Sequence, residues 1–450
     1  MLVLIASLAA LFLAEADVPR EQPIAGYWEG ALTIEGSPLG IAVTIEETAE
    51  GFRAHPVISE WIWYAIEPSP VTKTETGIVI ADLYGGDAVL TLDPLYGQLV
   101  GAIATPDGSI GVHLKPLPPP PRPDWREEEV TFTSDDGTRI AGTLTIPNAP
   151  EKAAAIILLH GRGCGRRSVG EARVYAARGM AALTFDKRGA GESSGDCSAA
   201  THAQTVADAE AAQRFLQRHR NIDRRRIGYR GTSAGAWTAQ ALAEKALTRR
   251  GLNKPAFLIT WIGPATSIRT QQMASARTYG ERVGATDEQI ALAEEAVALI
   301  TDQDTADPRV LERLIAIRAQ AEREGWYTLM FGPDDLPQTE ADVSTLYLKK
   351  FRFDPGPVLQ DLRDTPYLAV FGAEDGIVPL DDNAAALDRA FSSSPSLNVV
   401  VLPNRGHSLE HGDQIVELPG GGTYFKVDTV EPRFMTETIL FLQREGFMPR

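Results

Sequence analysis

The first part of the chain alternates apolar and polar side chains over short distances. Between residues 24 and 115, runs such as Gly40–Ile45, Gly77–Ile80 and Ala88–Leu92 show this period of two, and glycines and other turn residues separate them. Successive side chains of a strand point to opposite faces, so short alternating runs are typical of half-buried strands. The pattern predicts a small antiparallel β domain over residues 17–115.

A proline-rich stretch follows this region. Residues 116–123 include six prolines. Proline fixes φ and has no N–H group, so such a run favours a stiff, extended spacer. We therefore expect a linker at residues 116–123, followed by a second domain at residues 124–450.

The second region alternates apolar runs with helical patterns. An Asp135-Asp136-Gly137 turn between two strand-like runs predicts an opening hairpin. The runs that follow predict strands at Ala154–Leu159, Ala181–Phe185, Arg226–Tyr229, Phe257–Ile262, Tyr367–Phe371 and Leu397–Leu402, and most of them are separated by amphipathic segments. This alternation is typical of an α/β domain with a mainly parallel sheet that is covered on both faces.

Residues 264–350 interrupt that rhythm. Apolar residues recur there at helical spacing, as at Ile290, Ala293, Val297 and Ile300. We expect an inserted helical lid over about 264–350, above the carboxyl ends of the strands.

Composition narrows the functional classes. The chain has 450 residues, 44% of them hydrophobic and 23% charged, which suggests two or three domains with a large core. The net charge of −17 disfavours a nucleic-acid partner and an anionic membrane surface. We expect no cofactor and no metal; the oligomeric state is not readable from the sequence.

The N-terminus favours export. Residues 1–13 are almost wholly apolar, and Ala14-Glu15-Ala16 offers a small-x-small cleavage site, so residues 1–16 predict a signal peptide and a periplasmic or extracellular protein. The segment has no Lys or Arg, which leaves an uncleaved N-terminal anchor as the alternative.

The strongest chemical signal is Gly231-Thr232-Ser233-Ala234-Gly235. This string lies between a strand-like run and a helix-forming run, which is the context of a nucleophile elbow: a sharp turn that exposes a serine. Gly231 and Gly235 supply the small residues that the close approach of strand and helix requires. Ser233 is therefore the candidate nucleophile.

A nucleophilic serine needs a base and an acid that orients the base. Asp375 follows the apolar run that ends at Phe371, and it is the candidate acid, with Glu374 as the alternative. His407 follows the run that ends at Leu402, and it is the candidate base, with His411 as the alternative. The oxyanion would be held by the backbone N–H of Ala234 and by that of Arg162, in the loop after Ala154–Leu159.

These motifs resemble the α/β-hydrolase superfamily, and within it a bacterial group with an N-terminal β domain, described as esterases or prolyl-oligopeptidase-like hydrolases. The resemblance rests on His160-Gly161-Arg162-Gly163, on Phe185-Asp186-Lys187-Arg188-Gly189, on the elbow, on Asp375 and on Gly406-His407. It covers about residues 124–450. The chain departs from the group at Thr232, where His is common, and at Ala236, where Gly is usual.

The resemblance implies a fold, a reaction and a disulfide. In that fold the loops that hold Cys164 and Cys197 are neighbours, so we expect these two cysteines to pair; two unrelated thiols are the alternative. The reaction would be hydrolysis of a small-molecule carboxylic ester through an acyl-enzyme. A serine peptidase, a thioester or lactone hydrolase and a non-catalytic binding protein are the alternatives.

Overall fold

The structure is a computed structural model that describes residues 23–34, 37–57, 69–83, 86–105, 108–119, 124–332, 335–350, 352–392, 394–407, 410–411, 414–417, 423–426, 429–430 and 433–449. The expected signal peptide and residues 120–123 of the expected linker lie outside these ranges. The described residues form two compact units: the first holds the described residues up to 119, and the second holds those from 124 onwards. No helix among them is both long and apolar enough to span a bilayer.

The first unit is a closed antiparallel barrel. Its strands are β1 (Gly26–Ile34), β2 (Ser37–Thr48), β3 (Gly51–Val57), β4 (Ser69–Lys73), β5 (Gly77–Leu83), β6 (Gly86–Leu92), β7 (Leu99–Thr105) and β8 (Gly108–Leu117). Each strand pairs with the next, and β8 pairs with β1. Along β6, Ala88 and Leu90 are buried inside the barrel whereas Val89 is exposed. The predicted antiparallel β domain is confirmed; its closure into a barrel was not predicted.

Strand β8 continues two residues past the expected end of the β domain at 115. Trp28 of β1 pairs with Pro116, and Tyr27 pairs with Leu117. The proline is tolerated because β7 pairs with β8 only as far as Leu114, so the other edge of the strand is unpaired at Pro116. The proline-rich stretch thus begins inside the barrel.

The second unit contains an eight-stranded sheet. Its strands are β9 (Trp125–Thr133), β10 (Arg139–Pro147), β11 (Ala153–Leu159), β12 (Ala181–Phe185), β13 (Ile222–Thr232), β14 (Leu258–Trp261), β15 (Tyr367–Gly372) and β16 (Leu397–Leu402). Their order is β16-β15-β14-β13-β11-β12-β10-β9. Strands β11 to β16 are parallel, and the hairpin of β9 and β10 joins them antiparallel at β12. The predicted α/β-hydrolase fold is confirmed.

Helices cover both faces of this sheet, and a further group of helices lies in the chain between β14 and β15. They are α1 (Val169–Ala176), α2 (His202–Arg218), α3 (Gly235–Thr248), α4 (Ile268–Arg282), α5 (Asp287–Asp302), α6 (Pro308–Arg323), α7 (Tyr327–Met330), α8 (Tyr347–Lys350), α9 (Gly356–Asp361), α10 (Leu380–Phe391) and α11 (Arg433–Arg444). Strand β11 faces both layers: Ile157 packs with residues of α2 and α3, and Ile156 packs with residues of α1 and α11. Burial on both faces explains the uninterrupted apolar runs.

Helices α4 to α8 form the predicted insertion between β14 and β15. They share one apolar cluster, which includes Val297, Leu314 and Trp326 and also Ala234 and Trp237 beside the elbow. Among the residues that the structure describes after His407 are four short strands, none of which was predicted. They pair antiparallel, β17 (Glu410–His411) with β20 (Thr429–Val430) and β18 (Gln414–Glu417) with β19 (Thr423–Lys426).

The expected disulfide is present. Cys164 follows β11 and Cys197 follows β12, and the two residues are bonded across a sequence separation of 33 residues. These parallel strands are neighbours in the sheet, so the loops at their carboxyl ends meet.

We predict that replacing both cysteines (Cys164→Ser with Cys197→Ser) lowers the free energy of unfolding by about 3–4 kcal/mol. A cross-link that closes a loop of this length restricts the unfolded chain by roughly that amount. Urea denaturation of the double variant and of the oxidised wild type measures the difference. Equal midpoints, or two free thiols in denatured, unreduced wild-type protein, would contradict it.

Stability should also depend on pH through His202, at the start of α2. Burial lowers the pKa of its imidazole to about 4. The unfolded state therefore binds the proton more readily below about pH 6.5, and stability is lost as the pH falls towards 4. Between pH 7 and pH 5 we expect wild type to lose about 2 kcal/mol more than His202→Gln. Urea denaturation at both pH values measures this, and a constant difference between the two proteins would refute it.

Candidate active site

Ser233 lies on the sharp turn between β13 and α3. Its φ is +50°, in the left-handed region that non-glycine residues rarely adopt. A Cβ at Gly231 would lie 2.4 Å from the Gly235 carbonyl oxygen, and one at Gly235 would lie 2.5 Å from the Leu159 carbonyl oxygen. Neither position accepts a side chain, because strand, turn and helix are in backbone contact. This geometry matches the predicted elbow.

His407 reaches this turn from the loop after β16. Its Nε2 lies 2.9 Å from Ser233 Oγ, and its ring is mostly buried. The loop bends at Asn404, whose φ of +55° is also left-handed. The alternative candidate, His411, lies in β17, and only its backbone is described. The structure therefore brings His407, and not another described histidine side chain, beside Ser233.

Asp375 follows β15 and completes a hydrogen-bonded chain. Its Oδ2 lies 2.9 Å from His407 Nδ1, and its Oδ1 accepts hydrogen bonds from the backbone N–H groups of Ile377 and Val378 at 2.9 and 2.8 Å. The carboxylate is buried. The alternative Glu374 is exposed, so the structure places Asp375 and not Glu374 beside the histidine.

The loops that hold Asp375 and His407 contact each other through their backbones. Glu374 N–H donates to the Arg405 carbonyl at 2.9 Å, and a Cβ at Gly372 would lie only 2.3 Å from that same oxygen. The close approach leaves room only for glycine at position 372. Acid and base are thus positioned by one joined pair of loops.

The loop after β11 lies against the serine on another side. A Cβ at Gly161 would be 3.3 Å from Ser233 Cβ and 3.9 Å from Ser233 Oγ, so the peptide that joins Gly161 to Arg162 borders the nucleophile. Ala234 is the N-cap residue of α3, and the N–H groups at such an end have no intrahelical acceptor. Both predicted donors of an oxyanion site therefore lie in segments that adjoin Ser233.

Several contacts fasten this loop to the chain that follows β12. His160 Nε2 lies 2.9 Å from the Phe185 carbonyl oxygen, and burial lowers the pKa of this imidazole. Lys187 Nζ donates to the carbonyls of Gly161 at 2.6 Å and Gly163 at 2.8 Å. The disulfide at Cys164 adds a covalent link. His160 therefore links this loop to the chain at Phe185.

The side chain of Arg162 points into the inserted helices. Its guanidinium pairs with the buried carboxylate of Asp335 at 2.8 Å and lies over the ring of Tyr347, 4.2 Å from its centroid. A Cβ at Gly332 would lie within 2.8 Å of the same guanidinium. The insertion thus contacts the side chain of Arg162, the residue whose backbone N–H is a predicted oxyanion donor.

The insertion also contacts the acid loop through one face of α4. Gln271 donates to the Ile377 carbonyl, and Arg282 donates to the Glu374 carbonyl. Between them, the ring of Tyr279 occupies the space next to Gly376, where a Cβ would be 2.8 Å away. The acid loop is therefore held by the histidine loop and by α4.

A buried ion pair lies beneath the elbow. Arg230, three residues before Ser233, donates through Nε to Glu171 of α1 at 2.8 Å, and its guanidinium lies 4.4 Å from the centroid of the Trp261 ring. The same guanidinium bonds the hydroxyl of Thr232. The predicted strand Arg226–Tyr229 ended before Arg230, and nothing in the local sequence identifies the partner of this arginine.

Comparisons with known proteins place the chain in a family. The family model described as "Alpha/beta hydrolase family" matches residues 156–418, more than half of the chain. A curated protein of Escherichia coli, an uncharacterized 31.7 kDa protein of the traX-finO intergenic region, is 37% identical over 99 residues. That alignment covers 21% of this chain and 34% of the relative, so the chain spans about a third of the length of the protein it matches.

Solved structures also align with the chain. The alpha/beta hydrolase GrgF from Penicillium sp. sh18 is 18% identical, with 71% of this chain and 99% of that chain covered and a TM-score of 0.42. The Pyrococcus furiosus esterase PF2001 is 14% identical, with 72% and 97% covered and a TM-score of 0.40. A thermophilic esterase from Thermogutta terrifontis is 21% identical, with 62% and 91% covered and a TM-score of 0.37.

The family match runs from residue 156, inside β11, through β16. It includes the elbow and the loops that hold Asp375 and His407. The sheet order and the strand-turn-helix geometry at Ser233 agree with it. This chain belongs to the alpha/beta hydrolase family.

Proposed function

We propose that the protein is a serine hydrolase that cleaves carboxylic esters of small molecules through an acyl-enzyme. The observation that carries the proposal is the continuous chain of hydrogen bonds from Ser233 Oγ to His407 and from His407 to Asp375, at the carboxyl ends of β13, β16 and β15. A serine hydroxyl becomes a nucleophile when such a base accepts its proton.

Each group has a defined step in this proposal. His407 Nε2 accepts the proton of Ser233 as Oγ bonds to the ester carbonyl carbon. The oxygen of the tetrahedral intermediate accepts hydrogen bonds from the N–H groups of Arg162 and Ala234. His407 then donates its proton to the departing alcohol. A water molecule, deprotonated by His407, then attacks the acyl carbonyl carbon. The bond from that carbon to Ser233 Oγ breaks, His407 returns the proton to Oγ, and the acid is released.

The surroundings favour an uncharged, apolar acyl group. Ala234 and Trp237, one and four residues after the nucleophile, are buried in the same apolar cluster as Ile268 and the core of the inserted helices. An acyl chain that left the tetrahedral carbon towards this cluster would exchange water for hydrocarbon contacts. The inserted helices thus act as a lid that sets acyl preference.

Export is part of the proposal. The Cys164–Cys197 disulfide suits an oxidising compartment, since cytosolic thiols are kept reduced in most organisms. It agrees with the signal peptide expected from residues 1–16, which places the enzyme in the periplasm or outside the cell.

Ser233→Ala should abolish turnover of p-nitrophenyl esters. We expect wild type to hydrolyse some members of a series from acetate to laurate, with the preferred length reporting the depth of the acyl site. Initial rates on these esters and on amino-acid p-nitroanilides measure the loss of turnover in Ser233→Ala and the preferred acyl length of wild type. Turnover of anilides with poor esters would replace the esterase by a serine peptidase. No turnover and no labelling of Ser233 by a fluorophosphonate probe would favour a non-catalytic protein.

Asp375→Asn should lower kcat by roughly 10³–10⁴-fold, because the amide no longer orients His407 or stabilises its cation. The matched control is Glu374→Gln, which makes the same change on the adjacent, exposed acid and should keep kcat within about twofold of wild type. Steady-state kinetics of both variants measure the contrast. A larger loss in Glu374→Gln would transfer the role of the acid to Glu374.

A further inference from the structure

Lys187 contacts the loop beside the nucleophile at two neighbouring carbonyls. Its Nζ donates to Gly161 O at 2.6 Å and to Gly163 O at 2.8 Å. Its own backbone N–H donates to Gly165 O at 3.0 Å. One residue of the chain after β12 therefore binds three carbonyls of a loop of five residues, and the two side-chain bonds flank Arg162.

The bond to Gly161 fixes the direction of the Arg162 N–H. The Gly161 carbonyl and the Arg162 N–H belong to the same peptide unit, which is planar and trans, so the two groups point in opposite directions. When the carbonyl points to Lys187, the N–H points to the opposite side of the peptide. Gly161 lies against Ser233, since its Cβ position is 3.3 Å from Ser233 Cβ.

The loop needs such a restraint because its own backbone is permissive. Glycines at 161, 163 and 165 give it wide conformational freedom, and Gly163 has a φ of +87°. Rotation of the peptide between Gly161 and Arg162 would direct a carbonyl oxygen, in place of an N–H, towards the developing oxyanion. That rotation would break the hydrogen bond from Lys187 Nζ to the Gly161 carbonyl. The hydrogen bond from Lys187 Nζ to the Gly163 carbonyl, on the other side of Arg162, also opposes the rotation.

We propose that Lys187 is a positioning residue for the oxyanion site: its ammonium group holds the carbonyls of Gly161 and Gly163, so that the Arg162 N–H is directed at the substrate oxygen before substrate binds. The inference rests on the proposed function, in which Arg162 is an oxyanion donor. The positive charge also polarises the Gly161–Arg162 peptide, which strengthens its N–H as a donor. Lys187 touches neither substrate nor the reacting atoms.

The test compares Lys187→Met, Lys187→Gln and wild type in the full chain. Complete loss of one oxyanion donor costs roughly 10²–10³-fold in kcat, so we expect Lys187→Met to lose roughly 10–100-fold in both kcat and kcat/KM, with KM within about twofold. Lys187→Gln keeps N–H donors without the charge, so its kcat and kcat/KM should lie between those of Lys187→Met and wild type. Inhibition by a trifluoromethyl ketone, which forms a tetrahedral oxyanion on serine, should weaken by the same factor as kcat/KM.

The matched control is Lys245→Met. Lys245 pairs with Glu210 between α3 and α2, through a 3.3 Å contact, and its loss should leave kcat and ketone affinity unchanged. The role of Lys187 is overturned if Lys187→Met keeps kcat within twofold of wild type, if its loss lies in KM alone, or if ketone affinity does not change. If Lys187→Met melts below the assay temperature, the same criteria apply to Lys187→Gln. Wild type that is inactive on every ester and unlabelled by fluorophosphonate overturns the proposed function as well.

Discussion

The close approach of three backbone segments at Ser233 is the constraint around which the second unit is built. Strand β13, helix α3 and the end of β11 come so near that Gly231 and Gly235 cannot carry a Cβ. Ser233 itself is held at φ +50°. Such a conformation is unfavourable for a serine and persists only where the surrounding structure determines it. The position of its hydroxyl is therefore set by main-chain packing in the sheet, which is rigid, and not by flexible side chains.

The groups that surround the hydroxyl come from loops, and each loop is held by another. The acid loop and the histidine loop share backbone hydrogen bonds and meet at Gly372. The loop of Arg162 is held by Lys187, by His160 and by the disulfide. Loops at the edge of a sheet are usually the mobile part of a fold. Here hydrogen bonds and a disulfide hold the loops beside Ser233, and such support is what the proposed stabilisation of a transition state by hydrogen bonds requires.

The sequence was sufficient for the parts of the molecule that leave a local pattern. Strand β12 is buried on both faces and appears as an apolar run, so Ala181–Phe185 was predicted with its observed bounds. The edge strand Leu397–Leu402 was also predicted with its observed bounds, because its run is apolar even though Val399 and Val401 are exposed. Gly-x-Ser-x-Gly between a strand and a helix gave the elbow, because the steric rule that requires these glycines is also local. Later strands followed by an acid and by a histidine then predicted the loops that hold Asp375 and His407.

Contacts between distant residues leave no such pattern. Arg162 and Asp335 are 173 positions apart, and Arg230 and Glu171 are 59 apart, so neither ion pair could be found from spacing. Alternation predicted the strands of the barrel, but it does not say whether the last strand meets the first. Lys187 was noted only as part of a motif. Its role depends on two carbonyl oxygens, and every residue type carries a carbonyl, so the sequence holds no mark of that contact.

The inserted helices contact both the acid loop and the loop of Arg162. Gln271, Tyr279 and Arg282 lie eight and three positions apart along α4, a spacing that places them on one side of a helix, and all three act on the acid loop. Asp335, from the later part of the insertion, holds Arg162. An element that covered the substrate alone would need neither set of contacts. Because the insertion contacts both loops beside Ser233, the proposed function implies that a change of sequence in the insertion would alter the shape of the acyl site and the geometry of the reacting groups together. Substrate preference and reactivity of the proposed enzyme would then not be independent properties.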